Sequence, residues 1–239
     1  MVLKIILIVA FLFPGGIYGK KENIDYTAQR KQMVEEQIFH RGITDKRVLN
    51  AFLNVKRHLF VKEELRDKAY GDFTLDIGED QEVSRPYIVA IMTYAVAPGN
   101  NKKVLEIGTG SGYHAAVLAE LTKYVYTIEL LEPLAKEAKK RLDAMGYKNI
   151  KFKIGDGYKG WEEYAPYDGI IVTCSEDHIP QPLINQLAVG GRLIIPVRYA
   201  LNIQELILLE KDSRGRLKKT HLIPVQAFPS LIRGSEKND

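Results

Sequence analysis

A doubly wound α/β sheet with an N-terminal helical cover is the fold that this chain of 239 residues predicts, and three stretches carry the expectation. In VLEIGTGSGY (104–113) a short apolar run leads into glycines alternating with small hydroxyl residues, and Tyr113-His114-Ala-Ala-Val-Leu then takes up helical spacing. That is a strand, a tight turn and a helix start. YVYTIE (124–129) is a second strand, ending on the acid Glu129 about twenty residues past the loop. IKFKIGDGYKGW (150–161) adds a third, ending in Asp156 between Gly155 and Gly157. Strands alternating with helical segments build a parallel sheet covered on both faces, with its binding loops at the strand carboxyl ends.

The elements follow in chain order. Residues 1–19 have an early lysine, an apolar run from Ile5 to Phe13 and a break at Pro14-Gly15-Gly16, the layout of a secretory signal. The run is short for a bilayer span, so the mature chain is expected to begin near Lys20 and to be periplasmic or secreted, held at a membrane only if the segment stays uncleaved. Residues 20–234 are expected to form one domain and 235–239 a polar tail. Asp25 to His40 reads as a helix with Met33, Val34 and Ile38 on its apolar stripe, stopped by Gly42, and Asp45 caps a second helix through Phe52. Together they are expected to cover the sheet edge. The acid-rich stretch from Tyr70 to Pro86 reads as loop, long enough to be functional. Pro86 suits the first turn of the helix PYIVAIMTYAV, with Ser84 at or next to its N-cap. Beyond the three strand–helix units, DGIIVTCS (168–175), GGRLIIPVR (190–198), ELILLEKD (205–212) and HLIPVQAF (221–228) read as further strands.

Composition narrows the function. With 46% hydrophobic and 27% charged residues the chain has ordinary soluble composition. A net charge of +4 and an isoelectric point of about 8.9, with lysines spread along the chain, imply no nucleic-acid partner. The densest basic run, Lys136 to Arg141, is spaced as a solvated helix face. Cys174 is the single cysteine, so no intrachain disulfide can form. The histidines at 40, 58, 114, 178 and 221 show no metal-ligand spacing, and no Ser/His/acid order stands out. No metal and a monomer are expected.

The glycine loop and Glu129 together point to a nucleotide-type cofactor, with the acid binding ribose hydroxyls. A dinucleotide site needs GxGxxG to bring a pyrophosphate to the helix start, whereas here Tyr113 stands where the last small residue belongs. Glu106 at the strand end would repel a pyrophosphate but suit a ligand carrying an ammonium and a sulfonium. This favours S-adenosylmethionine, with Asp156 placed for the adenine amino group.

These residues, with RGI (41–43), RVL (47–49), RHLFV (57–61), AYGDFTLDIG (69–78), SRPYIVAIMT (84–93), GDGYKGW (155–161), APYDGIIVT (165–173), IPQPLINQL (179–187) and GGRLIIPV (190–197), resemble the protein-L-isoaspartate O-methyltransferase family from about Met33 to Gly234. The resemblance implies methyl transfer from S-adenosylmethionine to the free α-carboxylate of isoaspartyl residues in damaged proteins or peptides, as a repair step. It implies Ser84 in the active site, Glu106, Gly108 and Gly110 toward the methionine end and ribose side of the cofactor, Glu129 on the ribose, and Asp156 with Gly157 near adenine. Asp76, Ile77 and Gly78 would form the substrate loop. Arg57 and His58 are read as structural, tying the cover to that loop. Asp80, Glu82 and Arg85 depart from the family's pattern, and Arg85 could grip a peptide carboxylate. The C-terminal VQAFPSLIRG is altered as well. Two other readings keep the cofactor residues or the fold: a methyltransferase of another carboxylate or small molecule, and a non-catalytic binding module. A nucleic-acid methyltransferase would need an Asn/Asp-Pro-Pro-Tyr-like base pocket or a basic recognition region, and the sequence has neither.

Overall fold

The computed structural model describes residues 24–96, 99, 102–200, 203–225 and 228–230. The signal reading (1–19) and the polar tail (235–239) lie outside the described residues. Helix α1 (Tyr26–Gln32) starts where the Asp25 carboxylate accepts the N–H groups of Thr27 and Ala28 at 2.9 and 3.0 Å. It runs on without a break into a wider π-helical segment, Met33–Phe39. The expected single α-helix through His40 is thus corrected in its second half. Widening to five-residue hydrogen bonds, such as His40 N–H to the Glu35 carbonyl, brings Met33, Val34 and Ile38 together on the buried face. Gly42, at φ 96°, ends it. Asp45 caps α2 (Lys46–Asn54), which buries Val48, Ala51 and Phe52 at helical spacing.

The stretch read as loop holds a hairpin, β1 (Leu75–Gly78) with β2 (Gln81–Val83), in which Leu75 faces Val83. Its turn residues Glu79 and Asp80 both have φ of 53°. That is the left-handed pair a two-residue hairpin requires, made without the Asn or Gly that would have announced it. Helix α3 (Pro86–Ala95) starts at the proline as expected, but Arg85 holds the N-cap position and no side chain caps it.

Then come β3 (Lys103–Ile107), α4 (Tyr113–Ala119), β4 (Tyr124–Glu129), α5 (Glu132–Ala144), β5 (Ile150–Ile154), β6 (Tyr167–Val172), α6 (Gln181–Asn185), β7 (Leu187–Ala200), β8 (Ile203–Lys211) and β9 (Leu217–Val225). β7 starts earlier than read, and β9 begins at Leu217 rather than His221. The sheet order is β5-β4-β3-β6-β7-β8-β9, parallel through β7 and antiparallel for the last two strands. From β3 the chain winds outward to β4 and β5, then returns to the other side of β3 as β6. The crevice a doubly wound sheet leaves at such a switch point opens over the carboxyl end of β3.

The N-terminal cover packs on α3 and α4 rather than on a sheet edge, since the edges are β5 and β9. Phe52 and Phe60 meet the Tyr113 ring edge-on at 6.3 and 5.6 Å, so their buried aromatic surface fastens the cover beside the glycine loop.

Candidate active site

A cavity of about 710 Å³ fills that crevice. Its floor is the turn after β3, Gly108 to Ser111, with Glu129 closing β4 on one side and Thr173 and Cys174 leaving β6 on the other. The glycines are required by space as well as by backbone angle. Gly108 has φ 92°, and a Cβ there would stand 2.2 Å from the Thr173 hydroxyl. That hydroxyl donates to the Ile107 and Gly108 carbonyls at 2.9 and 3.0 Å, tying β6 to the loop. On the far side a Cβ at Gly157 would meet Ile107 at 2.3 Å.

Glu129 is buried, and its carboxylate holds the loop in shape by accepting Gly110 N–H at 2.8 Å and Leu131 N–H at 3.0 Å. Each oxygen keeps a second lone pair, so the group can also accept from ligand hydroxyls in the cavity.

Glu106 is corrected. It does not line the cavity but lies fully buried in the sheet, accepting from the Thr127 hydroxyl at 2.6 Å. Its other oxygen, Oε1, has no partner. On a strand covered on both faces the side chain is directed into a helix–sheet layer, while only the main chain at the strand end reaches the crevice. Burial pushes its carboxyl up to about 8, against the lowering effect of Thr127, with the nearby Glu129 charge adding to the rise. It reaches the cavity wall only indirectly, since Thr127 is 2.6 Å from the Thr109 hydroxyl and Thr109 lines the cavity.

Asp156 is displaced too. Its carboxylate caps the turn Gly157–Lys159 by accepting Tyr158 N–H at 2.9 Å, and the cavity wall there is Gly155 and Gly157. Asp76 is exposed, paired with Lys62 at 2.5 Å and accepting Gly78 N–H, away from the cavity. Ile77 does line it, and 3.3 Å separates its Cδ1 from where a Cβ on Gly110 would be. Gly78 borders a smaller neighbouring cavity of about 340 Å³.

Ser84 lines the main cavity, and its hydroxyl makes no hydrogen bond to the described protein, so the capping alternative is set aside. Its carbonyl is held instead. The fully buried Arg57 donates to it at 2.8 Å and to the Ala69 carbonyl at 2.8 Å, the tie between cover and hairpin that the sequence suggested. Without a carboxylate partner, the buried guanidinium has its pKa lowered by desolvation. His58 stacks on Tyr26 at 4.0 Å, bonds the Tyr70 hydroxyl at 2.8 Å and is pushed down to about 4, mainly by burial.

Asp80, Glu82 and Arg85 all reach the cavity from the hairpin side, and none of the three is in an ion pair among the described residues. Arg41 joins them there, with its guanidinium 3.5 Å over the Tyr87 ring and 2.8 Å from Asp72. The mouth is therefore mixed in charge and able to meet a polypeptide backbone with its termini or side chains of either sign.

Sequence reasoning passed over several wall residues. Thr173 and Cys174 follow β6 directly, and the strand-end rule applied to the first three strands would have found them. Burial raises the Cys174 thiol well above its usual range, which leaves it protonated and inert. Phe228 to Ser230 form another wall, sewn down by Gln204, whose amide donates to the Phe228 carbonyl at 3.0 Å and accepts its N–H at 3.1 Å. His114 carries no local signal, standing in the sequence as one of five scattered histidines. Among the described residues, no group of three or more His, Cys, Asp or Glu is placed to hold a metal ion, and no helix is long and apolar enough to cross a membrane.

Set against known proteins, this geometry has close counterparts. The sequence model of the protein-L-isoaspartate(D-aspartate) O-methyltransferase family matches residues 28–233. A protein-L-isoaspartate O-methyltransferase of a Picosynechococcus strain is 55% identical over 202 residues, covering 84% of this chain and 90% of that one. One of a Synechococcus strain is 50% identical over 212 residues, covering 86% of each. Among solved structures, a Plasmodium falciparum β-aspartate methyltransferase in complex with S-adenosyl-L-homocysteine superposes with a TM-score of 0.73 at 25% identity, over 86% of this chain and 99% of that one.

Proposed function

Since this chain belongs to the protein-L-isoaspartate O-methyltransferase family, we propose that its cavity binds S-adenosylmethionine and directs its methyl group to the free α-carboxylate of isoaspartyl residues in damaged proteins or peptides. The observation that carries this is the floor of the cavity. Gly108 to Ser111, Glu129 and the Gly155–Gly157 turn form a close-approach cradle with a carboxylate beside it and no cluster of bases, which fits a nucleoside without phosphates. Bound there, the cofactor supplies an electrophilic methyl on a sulfonium.

The protein's own work is placement. An isoaspartyl carboxylate is ionised at neutral pH and needs no general base, which suits a cavity whose described residues include no hydrogen-bonded Ser/His/acid triad. Ser84, with its hydroxyl free and its backbone pinned by Arg57, donates a hydrogen bond that orients that carboxylate. Glu129 accepts from the ribose hydroxyls while it shapes the loop. Gly157 gives adenine its close approach, and Asp156 acts through the turn it caps. Glu106 serves from behind, through Thr127 and Thr109. Ile77 and the hairpin cover the reacting atoms and keep water out, and Arg85 at the mouth offers a planar donor to peptide carboxylates.

The test is transfer of labelled methyl to an isoaspartyl peptide and its aspartyl twin in parallel. Base-labile label on the isoaspartyl peptide alone supports the reading. Cofactor binding with neither peptide labelled would turn attention to another carboxylate, with Asp80, Glu82 and Arg85 as the reason.

Export is part of the same proposal. The Lys4, Ile5–Phe13, Pro14-Gly15-Gly16 order supports a cleaved leader and an enzyme working outside the cytoplasm. An N-terminal mass showing Met1 intact on protein purified from the cytoplasm refutes it.

A further inference from the structure

His114, in the first turn of α4, lies on the cavity wall with 7% of its surface exposed. Its Nε2 is 2.9 Å from the hydroxyl of Thr93, a fully buried residue two turns along α3 that makes no other side-chain hydrogen bond among the described residues. This pairing decides where the imidazole proton goes. A buried hydroxyl hydrogen without an acceptor is strongly disfavoured, and Nε2 is the acceptor at hand. Thr93 therefore donates to Nε2, and the ring carries its proton on Nδ1. Burial holds the ring neutral, its pKa pushed down to about 3. Nδ1 itself has no hydrogen-bond partner among the described residues.

The result is one uncharged N–H donor, locked in orientation, on a wall shared with the apolar Ile88 and Val89. Charge matters here. An imidazolium would repel a sulfonium in the same cavity, whereas a neutral N–H does not. Nδ1–H can only donate, and in poorly hydrated surroundings the acceptor that such a donor holds most strongly is a carboxylate.

From this geometry we infer that His114 is a ligand-binding residue of the cavity, donating its Nδ1–H to a carboxylate oxygen. The inference rests on the function proposed above, in which two carboxylates enter the cavity: the amino-acid carboxylate of the cofactor and the α-carboxylate of the isoaspartyl substrate.

The experiment has three parts, all on the full-length chain. Imidazole ¹⁵N spectra of the free protein should show His114 as the neutral Nδ1–H tautomer, and a neutral Nε2–H ring overturns the inference. Titration with S-adenosylhomocysteine, then with isoaspartyl peptide, should move the Nδ1–H signal with one of them; movement with neither overturns it. His114→Leu should weaken that same ligand about 10- to 100-fold, with His114→Gln, which keeps an N–H donor, restoring most of the loss. If the cofactor carboxylate is the partner, methylthioadenosine, which lacks the amino-acid portion, should bind His114→Leu and wild type equally. If the substrate is the partner, the loss appears in peptide KM with S-adenosylhomocysteine affinity unchanged. Should His114→Leu not fold, the two wild-type spectra decide the matter. Wild-type binding matched by a folded His114→Leu refutes this inference alone, whereas a wild type that binds neither ligand refutes the proposed function and this inference with it.

Discussion

Glu106→Gln isolates the buried carboxyl from every other titration in the protein. The wild-type group is fully buried, has one unpartnered oxygen and is pushed up from 4.5 to about 8. Between those values the folded state keeps a proton that the unfolded chain has lost, so this group's contribution to stability is complete below pH 4.5 and lost as pH rises through 8. At about 1.4 kcal/mol per pH unit the loss amounts to on the order of 5 kcal/mol across the window. Two other buried groups act in the opposite sense. His58 and His114, held neutral with pKa values near 4 and 3, favour the fold increasingly as pH rises toward their unfolded value near 6.5. The wild-type profile alone therefore hides Glu106, while the difference between wild type and variant exposes it. In Glu106→Gln the Thr127 hydroxyl keeps an acceptor, but the new amide N–H groups enter the space around the unpartnered Oε1, a destabilisation of about 1–3 kcal/mol. Urea unfolding of both proteins from pH 5 to 8 is the assay. The variant should be the less stable at pH 5, and the gap should close and then reverse toward pH 8. Parallel profiles would falsify the buried, protonated carboxyl.

Ser84→Ala should leave the melting temperature and S-adenosylhomocysteine affinity unchanged, because its hydroxyl has no protein partner, while methyl transfer falls about 10- to 100-fold; full turnover removes Ser84 from the mechanism. Glu129→Ala leaves Gly110 N–H and Leu131 N–H without their acceptor, so it should weaken S-adenosylhomocysteine about 100-fold and destabilise the fold by about 1–3 kcal/mol. Calorimetry that finds wild-type affinity ends the ribose assignment. Glu79→Asn with Asp80→Gly replaces two side chains held at positive φ by residues that adopt it readily, and should stabilise the hairpin by about 1–2 kcal/mol. Faster amide exchange in β1 and β2 of that variant would contradict a left-handed turn at Glu79 and Asp80.

By itself the sequence determined what is written in local chemistry. The cap at Asp45, the start of α3 at Pro86, and the order of strands with their glycine turn depend on residues a few positions apart, and each is found where the pattern puts it. Gly108, Gly110, Glu129, Gly157, Ile77, Ser84 and Arg85 were legible as cavity residues on the same ground or through the family resemblance. The hairpin escaped because Glu79 and Asp80 form its turn without Asn or Gly, and because the acids at 76, 79, 80 and 82 leave its strands without a sustained apolar alternation, although Leu75 does pair with Val83. Only the tertiary structure decided which way the carboxylates go. Glu106 is committed to the interior by the pleat of a strand covered on both faces, Asp156 is spent on its own turn, and Asp76 is drawn outward to Lys62. It alone also joined Arg57 to Ser84, Thr93 to His114 and Gln204 to Phe228. These are contacts between residues about twenty or more positions apart, and their energies depend on burial and exact distance, which no local pattern encodes.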